Sequence, residues 1–196
     1  MRITRQQTAD NRNKVVETAE KMFREKGFAG VAVADFMRAA GLTHGGFYNH
    51  FDSKAELEAE AVRLACANST ARVAKIAAIE SADTRAQAMD RFIQGYLSPE
   101  IRDEKSARCS MVAYGADMPR QSDDARTAYA EGLEAYIERF AQALTPQGGD
   151  PADHRAEAIR TFSSMVGALY LARGSRDNEA LSDEILAVMR EALSRP

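Results

Sequence analysis

Apolar residues recur at intervals of three and four along almost the whole chain, and this spacing restricts the fold more than any other feature of the sequence. Such intervals place side chains on one face of a helix, whereas a half-buried strand needs strict alternation, which no stretch shows convincingly. The 196 residues include only five prolines, so few positions interrupt a helix. We therefore predict an all-α fold.

Glycine, proline and capping residues divide the chain into about nine predicted helices. Gly27 and Gly41 follow the first two, Ser53 begins a capping box, and segment 145–151 is the clearest loop. The strongly charged segment 100–108 is also predicted as a loop. The predicted helices span residues 11–26, 33–40, 44–49, 54–79, 84–97, 109–118, 123–144, 153–173 and 179–194.

Composition argues for a globular protein and against several other classes. With 45% hydrophobic and 28% charged residues, the chain can bury a substantial core and stay in solution. It contains no run of about 18 apolar residues that would cross a membrane. The first residues are polar and lack an apolar signal core, so we expect a cytoplasmic protein.

The sequence lacks the patterns of an enzyme or a metal protein. It has no GxSxG, no HExxH and no glycine-rich phosphate loop, and the spacing of His44, His50 and His154 does not suit a metal. Cys66 and Cys109 are predicted to be buried thiols. A redox role for Cys109 stays open, because Arg108 beside it would favour the thiolate. No cofactor is expected.

Positive charge is concentrated at the beginning of the chain. Residues 1–50 carry eight basic and five acidic side chains, a balance of +3, whereas the whole chain carries −3. The remaining residues therefore carry −6. A basic end on an acidic body is typical of a protein that contacts phosphate at one end.

The segment from Val33 to Phe51 has the pattern of a helix, a glycine turn and a short second helix. Leu42, Phe47 and Phe51 are predicted to hold the second helix against a core. The remaining residues of this helix are predicted to face outward, where their side chains or exposed backbone can contact DNA. They are Thr43, His44, Gly45, Gly46, Tyr48, Asn49 and His50.

Each outward residue type has a reason to lie against DNA. Thr43 is predicted to cap the short helix and to offer its hydroxyl and backbone N–H to a phosphate. His44 would reach a base edge, and Gly45 with Gly46 would let the backbone approach closely. Phosphate contacts fix position without reading sequence. Those contacts are predicted for Tyr48, His50 and Lys54.

Five short pieces of sequence strengthen this interpretation because they occur in the order and spacing of a known family. On these pieces, about a quarter of the chain, from Asn11 to Leu57, resembles the TetR family of one-component bacterial repressors. The pieces are AEKMF at 19–23, KGF at 26–28, AAGL at 39–42, GFYNHF at 46–51 and SKAEL at 53–57.

The resemblance implies a division of labour within the chain. Residues 1–55 would form a helix-turn-helix head that places its third helix in the major groove of an operator. Residues 56–196 would form a helical body that dimerises and binds a small-molecule effector. A flexible arm carrying Arg5 would add a phosphate or minor-groove contact. Repression is the expected outcome, although activation stays open.

Two positions depart from the family pattern. Ala32 stands where the family usually has serine or threonine, so a helix cap and a phosphate contact are both in doubt. Met37 stands where a small residue is usual at a helix crossing. Methionine adapts to irregular space, so we expect it to fit.

Methionine and aromatic side chains of the body are the predicted effector site. An apolar pocket with a few polar groups is the usual form of a small-molecule site, so a largely apolar effector is expected. Filling of helix faces is the alternative for each residue. The candidates are Met89, Phe92, Ile93, Tyr96, Met111, Tyr114, Met118, Tyr136, Phe140, Phe162 and Met165.

The last two helices, 153–173 and 179–194, are the predicted dimer faces and would form a four-helix bundle with a second copy. The predicted faces are Phe162, Met165, Val166, Leu169 and Tyr170 in one helix, and Leu181, Ile185, Val188, Met189 and Leu193 in the other.

An enzyme and a helical protein-interaction module are the competing function classes.

Overall fold

The computed structural model describes residues 4–104 and 109–194, and these residues form helices and short connections without any strand. The predicted all-α fold is confirmed. The described residues contain nine α-helices: α1 Arg5–Lys26, α2 Val33–Ala39, α3 Lys54–Ala77, α4 Ala82–Tyr96, α5 Pro99–Asp103, α6 Ser110–Tyr114, α7 Asp123–Leu144, α8 Arg155–Gly174 and α9 Glu179–Leu193. Three 3₁₀ segments join them: His44–Asn49, Met118–Arg120 and Pro151–His154.

Helix α1 begins six residues earlier than predicted. The Thr4 hydroxyl accepts a hydrogen bond from the Gln7 backbone N–H at 3.1 Å, which caps the helix. Arg5 is consequently the first residue of α1, so the expectation of a flexible arm at this position is wrong.

The segment 100–108 is not a plain loop, because α5 occupies its first part. Ser98 accepts from the Ile101 N–H, and Pro99 stands at the first helical position, where its fixed backbone angle suits a helix. Residues 105–108 lie outside the described part. Helix α6 does end before Pro119, but it ends at Tyr114, four residues earlier than predicted, and Pro119 lies in the separate 3₁₀ segment Met118–Arg120.

The head and the body share one continuous buried cluster. Helix α1 packs on α3, α3 packs along α7, and α8 lies between α7 and α9. At the junction, the rings of Phe23 and Phe28 have centroids 4.9 Å apart, and those of Phe28 and Tyr114 are 5.1 Å apart. The Tyr114 hydroxyl donates to the Glu20 carbonyl at 3.1 Å, so α6 of the body is tied directly to α1.

The predicted dimer face of α8 needs correction. Phe162, Met165 and Leu169 are buried against other helices of the same chain. Helix α8 is apolar around much of its circumference, so periodicity alone does not separate the inner from the outer stripe. The large apolar side chains exposed on α8 and α9 are Ile159, Tyr170, Leu171, Leu181 and Val188.

Both cysteines are buried, as predicted. Burial raises the pKa of the Cys66 thiol to about 11. Cys109 is also buried, while the Arg108 side chain invoked for its reactivity lies outside the described residues. Within residues 4–104 and 109–194, no helix combines the length and the hydropathy needed to cross a membrane.

Gly132 of α7 permits the close approach of α3. A Cβ atom at this position would lie 2.4 Å from Cβ and 2.6 Å from Sγ of Cys66. We expect Gly132→Ala to lower the free energy of unfolding by about 1–2 kcal/mol, because a filled core must shift to admit it. Gly95→Ala is the matched control, since its Cβ would meet nothing within 4 Å. Urea denaturation of both variants measures the difference, and equal stabilities would contradict this packing.

Candidate nucleic-acid interface

A glycine turn sets the direction of the segment that was predicted to contact DNA. Gly41 adopts φ +73°, a left-handed conformation that side chains with a Cβ enter at a cost. Its N–H donates to the Arg38 carbonyl at 3.0 Å, and the Leu42 N–H donates to the Met37 carbonyl at 2.9 Å. These bonds end α2 and turn the chain into the 3₁₀ segment His44–Asn49.

Two phenylalanines hold this segment against the head, as predicted. Phe47 is fully buried and Phe51 nearly so. The Phe47 ring lies 5.8 Å from that of Phe36 and 5.4 Å from that of Phe51, measured between centroids. Leu42 is partly buried against the same cluster. Aromatic contacts therefore fix one face of the segment and leave the other to solvent.

The outer face presents the residues predicted to contact DNA. Thr43, His44, Gly45, Tyr48 and Asn49 are exposed, and the Tyr48 side chain is 68% exposed. Gly46 and His50 are half-buried. The segment thus forms a protruding edge with a hydroxyl, an imidazole, a phenol and an amide, which together can bond to phosphates and base edges.

The predicted cap by Thr43 is wrong. Its side chain makes no capping hydrogen bond, and its carbonyl accepts from the Gly46 N–H at 3.0 Å instead. A capping hydroxyl would normally accept a hydrogen bond from the Gly46 N–H. In the tighter 3₁₀ turn that N–H already donates to the Thr43 carbonyl. The Thr43 hydroxyl is left available to another acceptor or donor.

Lys54 is placed differently from the other predicted contacts. Its ammonium donates to the Phe28 carbonyl at 2.8 Å and lies 3.2 Å from a Glu58 carboxylate oxygen. It also lies 5.7 Å from the centroid of the Phe23 ring. In this structure Lys54 braces the start of α3 against the head, and its contact with phosphate stays a prediction.

Arg12 holds the end of the 3₁₀ segment His44–Asn49, here named the recognition segment, a role that sequence reasoning missed. Its Nε donates to the His50 carbonyl at 3.2 Å, and its Nη2 donates to Glu56 at 3.1 Å. Both terminal nitrogens also donate to the Glu60 carboxylate. The guanidinium carbon lies 4.6 Å from the Phe51 ring centroid. The Glu60 hydrogen bonds raise the pKa of Arg12, so the charge persists.

The two departures from the family pattern are both accommodated. Ala32 provides no side-chain cap, but the Asp35 carboxylate accepts from the Ala32 N–H at 3.1 Å. This bond satisfies a backbone donor at the start of α2. Met37 is fully buried, so the larger residue fits at the helix crossing.

Neither the backbone conformation nor the packing of the chain requires glycine at positions 45 and 46. Neither has a positive φ, and a Cβ on Gly45 would meet nothing within 4 Å. A Cβ on Gly46 would make only ordinary contact, 3.5 Å from the Thr43 hydroxyl oxygen. The absence of side chains here is therefore explained neither by backbone conformation nor by packing, and it agrees with close approach to a ligand.

This lack of an internal role gives a test. We expect Gly45→Ala to leave the free energy of unfolding within about 0.5 kcal/mol of the parent. We expect its affinity for duplex DNA to fall about tenfold, because the added methyl separates backbone from DNA. Fluorescence anisotropy with labelled duplex measures the affinity. Undiminished DNA binding would contradict close approach at this position.

A cavity of about 270 Å³ lies in the body, between α3, α4 and α7. Phe92, Tyr96 and Tyr136 are the predicted effector residues that line it. Ser69, Arg72, Arg91, Gly95, Ile101 and Cys109 complete its described lining. Ser69, Arg72 and Arg91 were not among the predicted effector residues, because an apolar helical pattern does not identify polar or cationic positions.

The other predicted effector residues are buried away from this cavity's lining. Met89 and Ile93 are fully buried in α4, and Tyr114 contacts the head. Phe140 and Phe162 pack on Tyr136 within the core. Met111, Met118 and Met165 are also buried. An effector role for this group stays a prediction.

Comparison with known proteins assigns the family. The family described as "Bacterial regulatory proteins, tetR family" matches residues 15–61, and "Transcriptional regulator LmrA/YxaF-like, C-terminal domain" matches residues 85–184. The transcriptional repressor DhaR of Mycobacterium sp. (strain GP1) is 26% identical over 187 residues, which cover 93% of this chain and 91% of DhaR. The repressor NemR of Escherichia coli (strain K12) is 23% identical, covering 95% and 96%.

Solved structures agree on the fold. The reduced form of Escherichia coli NemR superposes with a TM-score of 0.73 at 21% identity, covering 94% of this chain and 96% of that one. A TetR-family regulator from Agrobacterium tumefaciens gives 0.71 at 16% identity, covering 96% and 100%. These relatives are regulators rather than enzymes. The chain belongs to the TetR family of DNA-binding transcriptional regulators.

Proposed function

We propose that this protein is a ligand-responsive repressor, which acts in the cytoplasm and leaves a palindromic operator when a small molecule enters the cavity of its body. The observation that carries the proposal is the path of one short segment, residues 109–114. It begins at the cavity with Cys109 and ends with Tyr114 against the head. A ligand that displaces this segment therefore displaces a contact of the head.

Helix α3 offers a second connection between cavity and head. Ser69 and Arg72, near its end, line the cavity, while Glu56 and Glu60, near its start, bind Arg12. Ser69 also hydrogen-bonds Ser110 of α6 at 3.1 Å, so the two connections are coupled. A ligand shifts the DNA-binding equilibrium only if it binds the released arrangement more tightly.

A dimer through α8 and α9 completes the proposal. The exposed apolar side chains of these helices, among them Tyr170, Leu171, Leu181 and Val188, would be covered by a second copy. Two copies would present two recognition segments to half-sites about 34–36 Å apart, or a multiple of that distance. Repression, rather than activation, is favoured because the relatives DhaR and NemR are transcriptional repressors.

The cavity's role can be tested by filling it. Gly95 lines the cavity, and a Cβ on it would meet nothing within 4 Å, so Gly95→Leu places a side chain in the empty space without disturbing the core. The operator is first obtained by selection from random duplex DNA. A broad panel of small molecules, charged and neutral, is then screened for release of the labelled operator by fluorescence anisotropy.

We expect at least one compound to release the parent protein from its operator, and we expect Gly95→Leu to lose most of that response. Ala130→Leu on α7, at an exposed position outside the cavity lining, is the control and should respond like the parent. Full response of Gly95→Leu would contradict effector binding in this cavity. Failure of every compound to release the parent would contradict ligand-responsive release itself.

A further inference from the structure

We infer that the cavity selects an organic anion, namely a compact ring compound that carries a carboxylate. This inference rests on the proposed function, because it names the class of effector that the cavity takes. It also sharpens the expectation of a largely apolar effector. The inference is based on three features of one cavity: aromatic walls, the guanidinium groups of Arg72 and Arg91, and the buried hydroxyl of Tyr96, which lacks a strong hydrogen-bond partner.

The charged side chains among the described lining residues of the cavity are all positive. Arg72 and Arg91 contribute guanidinium groups, and no aspartate or glutamate is found among the described lining residues. This contrasts with the residues after position 50, whose formal balance is −6. A cationic lining within an acidic body attracts an anion to this cavity and excludes cationic compounds.

The two arginines differ in how they are held. Arg72 donates to the Ser69 hydroxyl at 3.3 Å, so it already has a partner within the chain. Arg91 is exposed, and it forms no ion pair or hydrogen bond with another described residue. A guanidinium offers two parallel N–H donors that match a carboxylate. Arg91 is therefore able to close on a carboxylate without first breaking a described contact.

Tyr96 lines the cavity, and its buried hydroxyl is a neutral hydrogen-bond donor. Tyr96 is 9% exposed, and its hydroxyl has no nitrogen or oxygen partner among the described residues. Its neighbour is the Cys109 thiol, a weak partner. Burial raises the pKa of Tyr96 well above its ordinary value, so the hydroxyl keeps its proton. An unsatisfied buried donor is costly, and a ligand oxygen would satisfy it.

Size and wall chemistry define the remainder of the ligand. The cavity volume of about 270 Å³ lies just below the range of about 300–1,000 Å³ that is usual for small-molecule sites, which favours a compact ligand of one or two rings. Phe92, Tyr96 and Tyr136 supply aromatic surface, and Ile101 adds an aliphatic side. Rings bind such surfaces through apolar burial and offset stacking, while the carboxylate meets the donors.

Matched acids and amides test the inference, because each pair has nearly the same shape and differs in charge. Benzoate, cinnamate, 1-naphthoate and 2-naphthoate are titrated beside their carboxamides into the full-length protein by isothermal calorimetry. The variants are Arg91→Gln and the double variant Arg72→Gln with Arg91→Gln. Arg139→Gln is the control, since Arg139 is an exposed arginine of α7 that bonds only to Gln142 among the described residues.

We expect at least one acid to bind about tenfold or more tightly than its amide, because hydrogen bonds to charged groups are the stronger ones. Arg91→Gln should reduce this preference, the double variant should abolish it, and neither should change the amide affinity. Arg139→Gln should behave like the parent. Equal binding of acid and amide would overturn the inference, as would a preference that survives the double variant or the absence of binding by all four acids.

The operator-release assay keeps this failure apart from failure of the proposed function. If a neutral compound releases the operator while the acids neither bind nor release it, the protein is a ligand-responsive repressor and only the anionic class is wrong. If acids bind in the cavity with the expected arginine dependence, the anion site stands even where operator release is not observed. The two claims therefore have separate readouts.

Discussion

Replacing Phe47 by alanine is expected to lower the free energy of unfolding by about 3–5 kcal/mol and to abolish specific DNA binding. Phe47 is fully buried and packs between Phe36 and Phe51. Removing a buried phenylalanine ring costs the transfer free energy and leaves a cavity. Since this ring is the main attachment of the recognition segment, that segment should lose its fixed position.

The neighbouring Tyr48 is the matched control, because it is an aromatic residue one position away and is 68% exposed. We expect Tyr48→Ala to change the free energy of unfolding by less than about 0.5 kcal/mol. Its DNA affinity should nevertheless fall about tenfold for every sequence, as expected for a phosphate contact. Urea denaturation and fluorescence anisotropy separate the two effects. A stable Phe47→Ala variant, or an unfolded Tyr48→Ala variant, would contradict the assigned orientation of the segment.

Replacing Arg12 by methionine is expected to lower the free energy of unfolding by about 2–3 kcal/mol. Arg12 bonds to the His50 carbonyl and to two carboxylates, Glu56 and Glu60. Hydrogen bonds to charged groups contribute about 1.5–3 kcal/mol each, but partial exposure of all three side chains reduces the sum. Methionine keeps the apolar contact with Phe51 and removes the donors.

Arg12 acts through the recognition segment, so its loss should weaken binding to all DNA sequences by a similar factor, on the order of tenfold. Arg12→Lys should recover only part of the affinity, because a lysine ammonium lacks the forked donors. Arg38→Met is the control for stability, since within residues 4–104 and 109–194 Arg38 forms an ion pair with Asp35 alone, at a side-chain exposure of 79%. Equal unfolding free energies for the Arg12→Met and Arg38→Met variants would refute the positioning role.

The recognition segment could be predicted because its determinants are local. A glycine at position 41 and apolar residues at 42, 47 and 51 specify a turn and an inner face without help from the rest of the chain. Arg12 could not be identified in the same way. It meets Glu56 and Glu60 across 44 and 48 residues, and its sequence neighbourhood shows only a charge on α1.

The body was harder to predict for a related reason. Helical periodicity identifies an apolar face, but it does not show whether that face meets a core, a cavity or a second chain. Phe162 and Met165 were assigned to both effector and dimer, and the structure buries them in the core. Arg72 and Arg91 were overlooked because a charge on a helix is usually solvated. Only the packing of α3 against α4 and α7 brings them to the cavity.

Selection of bound sequences from random duplex DNA by the purified full-length protein tests the central claim most directly. The account predicts enrichment of a palindromic motif whose half-sites are separated by one helical turn or a multiple of it. Affinity for the motif should fall steeply as salt increases, because counterions are released on binding. Enrichment of no motif, with DNA binding that is weak and independent of sequence at low salt, would contradict the account.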